Sequence, residues 1–312
     1  MKKALITDNV HEVLLKGLEE KAYVCSYLPK IEQAEVEALI ADYEILVINS
    51  KIQVNKKLLD KAVKLKYVAR LGSGLEIIDL AYAKERGIEV INSPEGNRDA
   101  VGEHALGLLL SLFNNLPAAH QDVLDFSWKR EERRGEELKG KTVGIIGYGN
   151  TGKAFAKKLS GFEVECLFYD KYLQEESAFA KQVALEEIQE RAEVLSFHLP
   201  YNMETHHFFD LHFLHRMKKS FYLINTSRGK IVDSSILLKA LHEQKLLGLC
   251  LDVFENEDAS NYSKEEKALI QDLALTNKCL FSPHVAGWTH QSKYKLAQLL
   301  LDKIFKEANN QA

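Results

Sequence analysis

The sequence predicts an α/β fold built on two parallel sheets, and three observations carry that prediction. Short apolar runs rich in Val, Ile and Leu alternate with longer amphipathic stretches, which is the pattern of strand–helix units around a parallel sheet. At 312 residues, against about 150 per domain, the length favours two domains, each with room for its own core. A charged segment at 129–141, with nine charged residues in its first eleven positions, separates two sets of such units.

In chain order, strands are expected at 4–7, 24–28, 45–48, 67–70 and 88–91. A long helical tract then starts near Asn97, with Ala100, Val101, His104, Ala105, Leu108, Leu109 and Leu112 at spacings of three and four. That spacing marks one buried stripe, and the first domain ends there. Beyond the solvated connection at 129–141, further strands are expected at 142–146, 163–169, 194–199, 221–225, 247–251 and 279–282. A last helix at 291–309 carries Leu296, Leu299, Leu300 and Ile304 at helical spacing and needs an apolar partner.

Gly147-Tyr148-Gly149-Asn150-Thr151-Gly152 fits G-x-G-x-x-G. The pattern is weak alone, but here it follows an apolar strand and opens a helix. Without side chains the backbone can approach a pyrophosphate, while free N–H groups and the positive end of the helix dipole face the anion. Gly147, Gly149 and Gly152 hold those positions. Asp170 ends the next strand, 18 residues after Gly152, where a carboxylate accepts ribose hydroxyls and repels a 2′-phosphate. The cofactor expected is NAD, with Lys171 beside Asp170 softening the repulsion. A glycine turn of another nucleoside-binding protein, such as a methyltransferase, is the bland alternative.

Hydride chemistry on a hydroxy acid needs a cation for the carboxylate, a base for the hydroxyl proton and a group that orients the base. Arg228 lies just past the strand at 221–224, where open α/β sheets bind ligands, and its fork matches a carboxylate. His284 follows another expected strand, and imidazole titrates near neutral pH. An acidic loop offers Glu255, Glu257 and Asp258 as the orienting group, and spacing does not choose among them.

Composition narrows the function classes. The net charge is −4, so no overall positive field favours nucleic acid or an anionic membrane. The longest near-apolar run, 105–113, is well short of the roughly 18 residues a bilayer span needs. Only Ala4, Leu5 and Ile6 follow Lys2 and Lys3, too little for a secretory h-region, so a cytoplasmic location is expected. Cys25, Cys166, Cys250 and Cys279 form no C-x-x-C pair and are read as four buried thiols. His206, His207, His212 and His215 are irregularly spaced without a cysteine, so they are read as exposed histidines and no metal is expected.

Taken together, these segments resemble the D-2-hydroxyacid dehydrogenase family, most closely its phosphoglycerate dehydrogenase branch. The likeness runs from Arg70-Leu71-Gly72-Ser73-Gly74 through Asn92-Ser93-Pro94-Glu95-Gly96-Asn97, Glu103-His104 and the glycine fingerprint. It continues through His198-Leu199-Pro200, Asn225 to Gly229, Asp252-Val253-Phe254 and Ser282 to Gly287. The resemblance implies a Rossmann NAD-binding domain at 98–285 inserted in a flavodoxin-like substrate domain of 1–97 plus 286–312, with the terminal helix returning to the first sheet.

It also implies roles. Arg228 would hold the substrate carboxylate and carbonyl, His284 would be the acid–base, and Glu257 would pair with it. Ser73 and Gly74 would grip the carboxylate through backbone N–H groups, with Asn97 by the cleft. Gly147, Gly149, Asn150, Thr151, Gly152, Asp170, His198, Pro200, Thr226, Ser227 and Asp252 would line the NAD site, Asp252 fixing the nicotinamide amide. Asp258 stands where the family usually has proline, removing a rigid φ and adding charge beside the dyad.

The expected reaction is oxidation of 3-phosphoglycerate to 3-phosphohydroxypyruvate, a step of serine biosynthesis, with Lys51, Arg70, Arg133 and Arg134 as candidates for the phosphate. Reduction of glyoxylate, hydroxypyruvate or another 2-keto acid is the alternative, and an NAD(H)-sensing binding protein is the alternative of another class. Chain length to 312 leads to no expectation of serine feedback through an appended regulatory domain. The partners expected are a small 2-hydroxy or 2-keto acid and a second copy of the chain, a homodimer through the NAD-binding domain, with the long helix as its surface.

Overall fold

Along Ile45–Ile48 all four side chains are buried, which a strand achieves only when both faces of its sheet are covered. The computed structural model describes residues 1–310, with side chains to 306, and its contacts divide the chain into two units. The first, residues 1–97 with those from 288 onward, holds β1 (Lys2–Ile6), β2 (Tyr23–Tyr27), β3 (Ile45–Ile48), β4 (Tyr67–Arg70) and β5 (Glu89–Asn92). All pair in parallel in the order β2-β1-β3-β4-β5, the flavodoxin-like order. Leu46, Ile48 and Val68 face one core, while Ala4, Ile6, Ile45, Val47 and Ala69 face the other. The second core includes Ala297, Leu300 and Ile304 of the helix His290–Asn310, so that helix finds its apolar partner on the first sheet.

The second unit, Arg98–Gly287, is a seven-stranded parallel sheet. Its strands are β6 (Thr142–Ile146), β7 (Glu165–Tyr169), β8 (Lys181–Gln182), β9 (Val194–Phe197), β10 (Phe221–Asn225), β11 (Leu246–Leu251) and β12 (Cys279–Phe281). The order β12-β11-β10-β9-β6-β7-β8 reverses direction at β6, the Rossmann switch point. The helix Arg98–Phe113 packs on the helix Asn150–Leu159 through Gly102, where a Cβ would press on the Ala154 backbone.

Several details differ from the sequence reading. Ala286 and Gly287 belong with the second unit, because the Ala286 N–H donates to Asp252. The two-residue strand β8 is new; it is too short and polar to show a period. The long helical tract stops at Phe113 and resumes as Leu116–Leu124 after a left-handed Asn115. Cys166 and Cys250 are buried, but Cys25 and Cys279 are only half-buried, since both lie on edge strands. Residues 311 and 312 of the expected substrate domain lie outside the described residues. Among the described residues, no helix is long and apolar enough to cross a membrane.

Candidate active site

Strand register sets the site. Ile146 pairs with Tyr169 and Phe197, Phe197 with Asn225, Asn225 with Leu251, and Leu251 with Phe281. The six neighbouring strands therefore end level, and the residues that follow, Asp170, Gly147, His198, Thr226, Asp252 and Ser282, form one row along the carboxyl edge. This is the edge at which open α/β sheets bind ligands.

At the switch point, Gly147 has φ +91° and a Cβ there would strike the His198 carbonyl. That conformation and that approach both require glycine. Gly149 is the N-cap of the helix Asn150–Leu159, so the first N–H groups of Asn150, Thr151 and Gly152 point at whatever sits over the turn. Asp170 accepts from the backbone N–H of Tyr148 (2.8 Å), Tyr172 (2.9 Å) and Leu173 (2.9 Å). Its partial burial opposes ionisation, but those three donors outweigh it and hold its carboxyl below the usual range. The result is a fixed carboxylate beside a side-chain-free turn at a helix N-terminus, which fits a pyrophosphate and an adenosine ribose. Lys171 is occupied by Glu204 at 2.6 Å, so it does little to soften Asp170's negative field.

His198 is buried between Ser196 Oγ (2.9 Å) and Thr151 Oγ1 (3.3 Å). Burial pushes its pKa down to about 3, so it is neutral and braces the helix that carries the phosphate-facing amides. Pro200 follows it in the loop that leaves β9.

Past β10, the buried Asn225 organises the next loop. Its Oδ1 accepts from the N–H and hydroxyl of Ser227, and its Nδ2 donates to the Arg228 carbonyl. Arg228 is extended, at φ −144°, with Nη1 on the Ser227 carbonyl at 2.7 Å. The buried Thr226 Oγ1 beside it has no hydrogen-bond partner among the described residues, a polar atom at the sheet edge available to a ligand. Gly229 lies so close to the next loop that a Cβ would overlap the Phe254 carbonyl.

Asp252 is fully buried. It accepts from Val285 N–H and Ala286 N–H, each at 2.9 Å, and from Ser282 Oγ, which in turn lies 2.8 Å from His104 Nε2. The His284 N–H donates to the Asp252 carbonyl at 2.7 Å. The loop is thereby bent so that His284 takes φ +54°, and its Nδ1 lies 2.8 Å from Glu257 Oε2. An ionised carboxylate only accepts, so the proton of that bond sits on the imidazole and Nε2 is left as the basic nitrogen. Both side chains are about two-fifths exposed, open to a substrate.

Geometry separates the three carboxylates that spacing leaves open. Glu257 meets His284. Glu255 turns away to Ser234 and to His207 Nε2 at 2.9 Å. Asp258 accepts from the Ser260 N–H and hydroxyl and from Asn261 Nδ2, capping the turn Ala259–Asn261. Capping therefore supplies locally the restraint that the family's proline would give.

In the first unit, Ser73 and Gly74 follow β4. Asn92 Nδ2 donates to the Ser73 carbonyl at 2.8 Å, Ser73 Oγ lies 3.5 Å from Asn97 Oδ1, and the Arg70 guanidinium folds over Gly72. Lys51 reaches the Pro29 carbonyl at 2.7 Å. Arg133 makes two bonds to Asp122 and Arg134 bonds Glu131, so this pair is spent on carboxylates. His206, His212 and His215 are exposed, whereas His207 joins Glu255. Asn225, Ser282, His104, His207 and Glu255 carry structural roles that sequence reasoning did not assign. The signal available for the first was its place as the last residue of an apolar strand.

The family model "D-isomer specific 2-hydroxyacid dehydrogenase, NAD binding domain" matches residues 106–286. Among curated proteins, the chain is similar to the D-3-phosphoglycerate dehydrogenase of Methanocaldococcus jannaschii, at 32% identity over 98% of this chain and 57% of that protein. It is similar to the hydroxypyruvate reductase of Thermotoga maritima at 30% identity, over 94% and 93% of the two. It thus spans little more than half the length of the first relative and nearly all of the second. Among solved structures, the D-lactate dehydrogenase of Aquifex aeolicus complexed with NAD and lactic acid matches with a TM-score of 0.84 and 26% identity, over 99% of this chain and 96% of that one. With a fingerprint turn, a row of buried strand-end residues and an imidazole–carboxylate pair on its second unit, the chain belongs to the D-isomer specific 2-hydroxyacid dehydrogenase family.

Proposed function

We propose that the protein is an NAD-dependent dehydrogenase that oxidises 3-phosphoglycerate at its 2-hydroxyl, a step of serine biosynthesis. The observation that carries the dehydrogenase reading is the pairing of His284 Nδ1 with Glu257 at 2.8 Å, on the same sheet edge as Arg228. When bound, NAD supplies the hydride acceptor. His284 Nε2 takes the hydroxyl proton, and Glu257 stabilises the imidazolium that results. Arg228 offers a planar fork to the carboxylate. In this reading Asp252 is chiefly the group that shapes the His284 loop, with one acceptor position left for an amide. In the first unit we assign substrate binding to the Ser73 and Gly74 amides and to Asn97, and the phosphate to Arg70.

The D-3-phosphoglycerate dehydrogenase relative supports this substrate. Two observations favour a second reading, reduction of hydroxypyruvate or a similar 2-keto acid. Arg133, Arg134 and Lys51 are all engaged elsewhere, and the hydroxypyruvate reductase relative matches over nearly its whole length. A panel of 2-keto acids read by NADH absorbance, repeated with NADPH, decides between them. Preference for 3-phosphohydroxypyruvate is expected, with Arg70→Ala raising its KM alone; preference for hydroxypyruvate, indifferent to that substitution, establishes the second reading. Tight NADH binding with no turnover of any acid would reject both.

For the assembly, we propose a homodimer through the second unit. Its surface is the long helical tract, and above all its second part, the helix Leu116–Leu124 and the turn after it, where Leu116, Val123, Leu124, Phe126 and Trp128 are exposed.

A further inference from the structure

Three loops at the carboxyl edge of the second sheet meet at one side chain. Glu255 Oε1 accepts from the Ser234 N–H (2.9 Å) and hydroxyl, and Oε2 faces His207 Nε2 at 2.9 Å. His207 belongs to the loop after β9, Ser234 to the loop after β10 that carries Arg228, and Glu255 itself to the loop after β11 that carries Glu257 two residues on. Backbone contacts knit the same loops together: His207 N–H donates to the Lys230 carbonyl, Phe209 N–H to the Ile231 carbonyl, and Asp233 N–H back to the Phe209 carbonyl. Gly229 and Phe254 touch backbone to backbone. One half-buried carboxylate is thus the only side chain among the described residues shown hydrogen-bonding across all three, between the loop of the cation and the loop of the base's partner.

We propose that Glu255 is a positioning residue that sets the spacing between Arg228 and Glu257, with His207 as its hydrogen-bond partner; the inference rests on the dehydrogenase reading above. The hydrogen bonds shown for Glu255 go to Ser234 and His207, so it acts through the loops. Burial opposes its charge, while Ser234 and His207 hold its carboxyl below the usual range, so it bridges as a carboxylate. With it removed, the Phe254–Glu257 segment keeps its contact with Gly229 but loses the tie to Ser234 and His207, and the Glu257 carboxylate drifts from His284 Nδ1. A misplacement of about 1 Å at such a site costs on the order of 100-fold in rate.

The test compares Glu255→Ala, Glu255→Gln, Glu257→Gln and the double variant Glu255→Ala/Glu257→Gln in the full chain, using the best acid of the substrate panel. Glu255→Ala is expected to lower kcat about 100-fold while the NADH dissociation constant, read by fluorescence, stays within about twofold, because the glycine turn lies on β6. Glu255→Gln, which can still accept from Ser234 and bond His207, is expected to recover most of the loss. If Glu255 acts through Glu257, the double variant is no slower than about the worse single one, a non-additivity that a purely structural role would not give. Additive losses, or Glu255→Ala with wild-type kcat and KM, would overturn the proposal. His284→Gln is run alongside: its full activity would instead overturn the dehydrogenase mechanism itself.

Discussion

A histidine at φ +54° occupies a conformation that costs an ordinary residue roughly 1–2 kcal/mol. Here the loop holds it there through the Asp252 carbonyl and the Asp252 carboxylate, which accepts from the two residues that follow. The arrangement puts Nδ1 against Glu257 and presents Nε2 outward, so each change has a separable consequence. Glu257→Gln removes a charged hydrogen bond of about 1.5–3 kcal/mol and should slow turnover about 10- to 100-fold while leaving NADH affinity alone. Arg228→Lys keeps the charge but loses the planar fork, and should raise the KM for the acid in steady-state assays with little change in NADH affinity. Spacing alone left Glu255, Glu257 and Asp258 equivalent because the choice depends on loop conformation: the N-cap at Asp258 is a turn closed locally on Ser260 and Asn261, and the bridge at Glu255 joins neighbours distant in sequence. His198 gives a test by pH. Its folded pKa, about 3, lies below the unfolded value near 6.5, so between those values the unfolded chain binds a proton that the folded one refuses. Stability contributed by neutral His198 is whole above about pH 6.5 and falls as the pH drops towards 3, with a slope of up to about 1.4 kcal/mol per pH unit. Urea unfolding of wild type and His198→Gln from pH 7 to 4.5 should show the wild type losing more stability on acidification; parallel curves would mean that His198 is not buried in neutral form.

Strands were the most legible elements because both faces of each sheet are covered, which forces the apolar run Ile45–Ile48 and the nearly apolar Thr142–Ile146, buried throughout. Where that pressure is absent, the signal disappears: β8 has two polar residues at the sheet edge, and the break at Asn115 rests on one left-handed residue inside a helical period. The fingerprint turn was legible through its neighbours, since strand, glycines, helix and acid had to fall in order. Gly147 is the glycine of this turn that combines a positive φ with a close approach, so that backbone conformation and the His198 carbonyl both exclude a methyl group. Gly147→Ala should therefore destabilise the second unit by about 1–3 kcal/mol and weaken NADH binding at least tenfold. Fluorescence titration of NADH below the melting temperature checks this, and unchanged affinity would show that the turn does not cradle the cofactor.

At the scale of the whole chain, periodicity reveals two sheets but not that one unit is interrupted by the other, because strand–helix units read alike in both. The return of the last helix to β1, β3 and β4 is a tertiary fact, carried by Ala297, Leu300 and Ile304 against Ala4, Ile45 and Ala69; only the resemblance foretold it. Assembly follows a similar logic, since a partner is written in what the fold leaves uncovered. On the second unit, Phe126 is 95% and Trp128 75% exposed, with Leu116, Val123 and Leu124 each more than half exposed nearby. Single exposed apolar residues are ordinary, but five within thirteen positions, two of them large aromatics, form the kind of patch that monomers rarely leave in water. Phe and Trp also supply much of the binding energy where interfaces form, from pockets sealed against solvent. The expected outcome is a dimer of twice the chain mass in light scattering after size exclusion. Phe126→Ser/Trp128→Ser should shift it to monomer at micromolar concentration while circular dichroism stays native, because neither side chain supports the core of its own unit. A wild-type chain that runs as a monomer at every concentration, or a double variant that remains dimeric, would assign that patch to another partner.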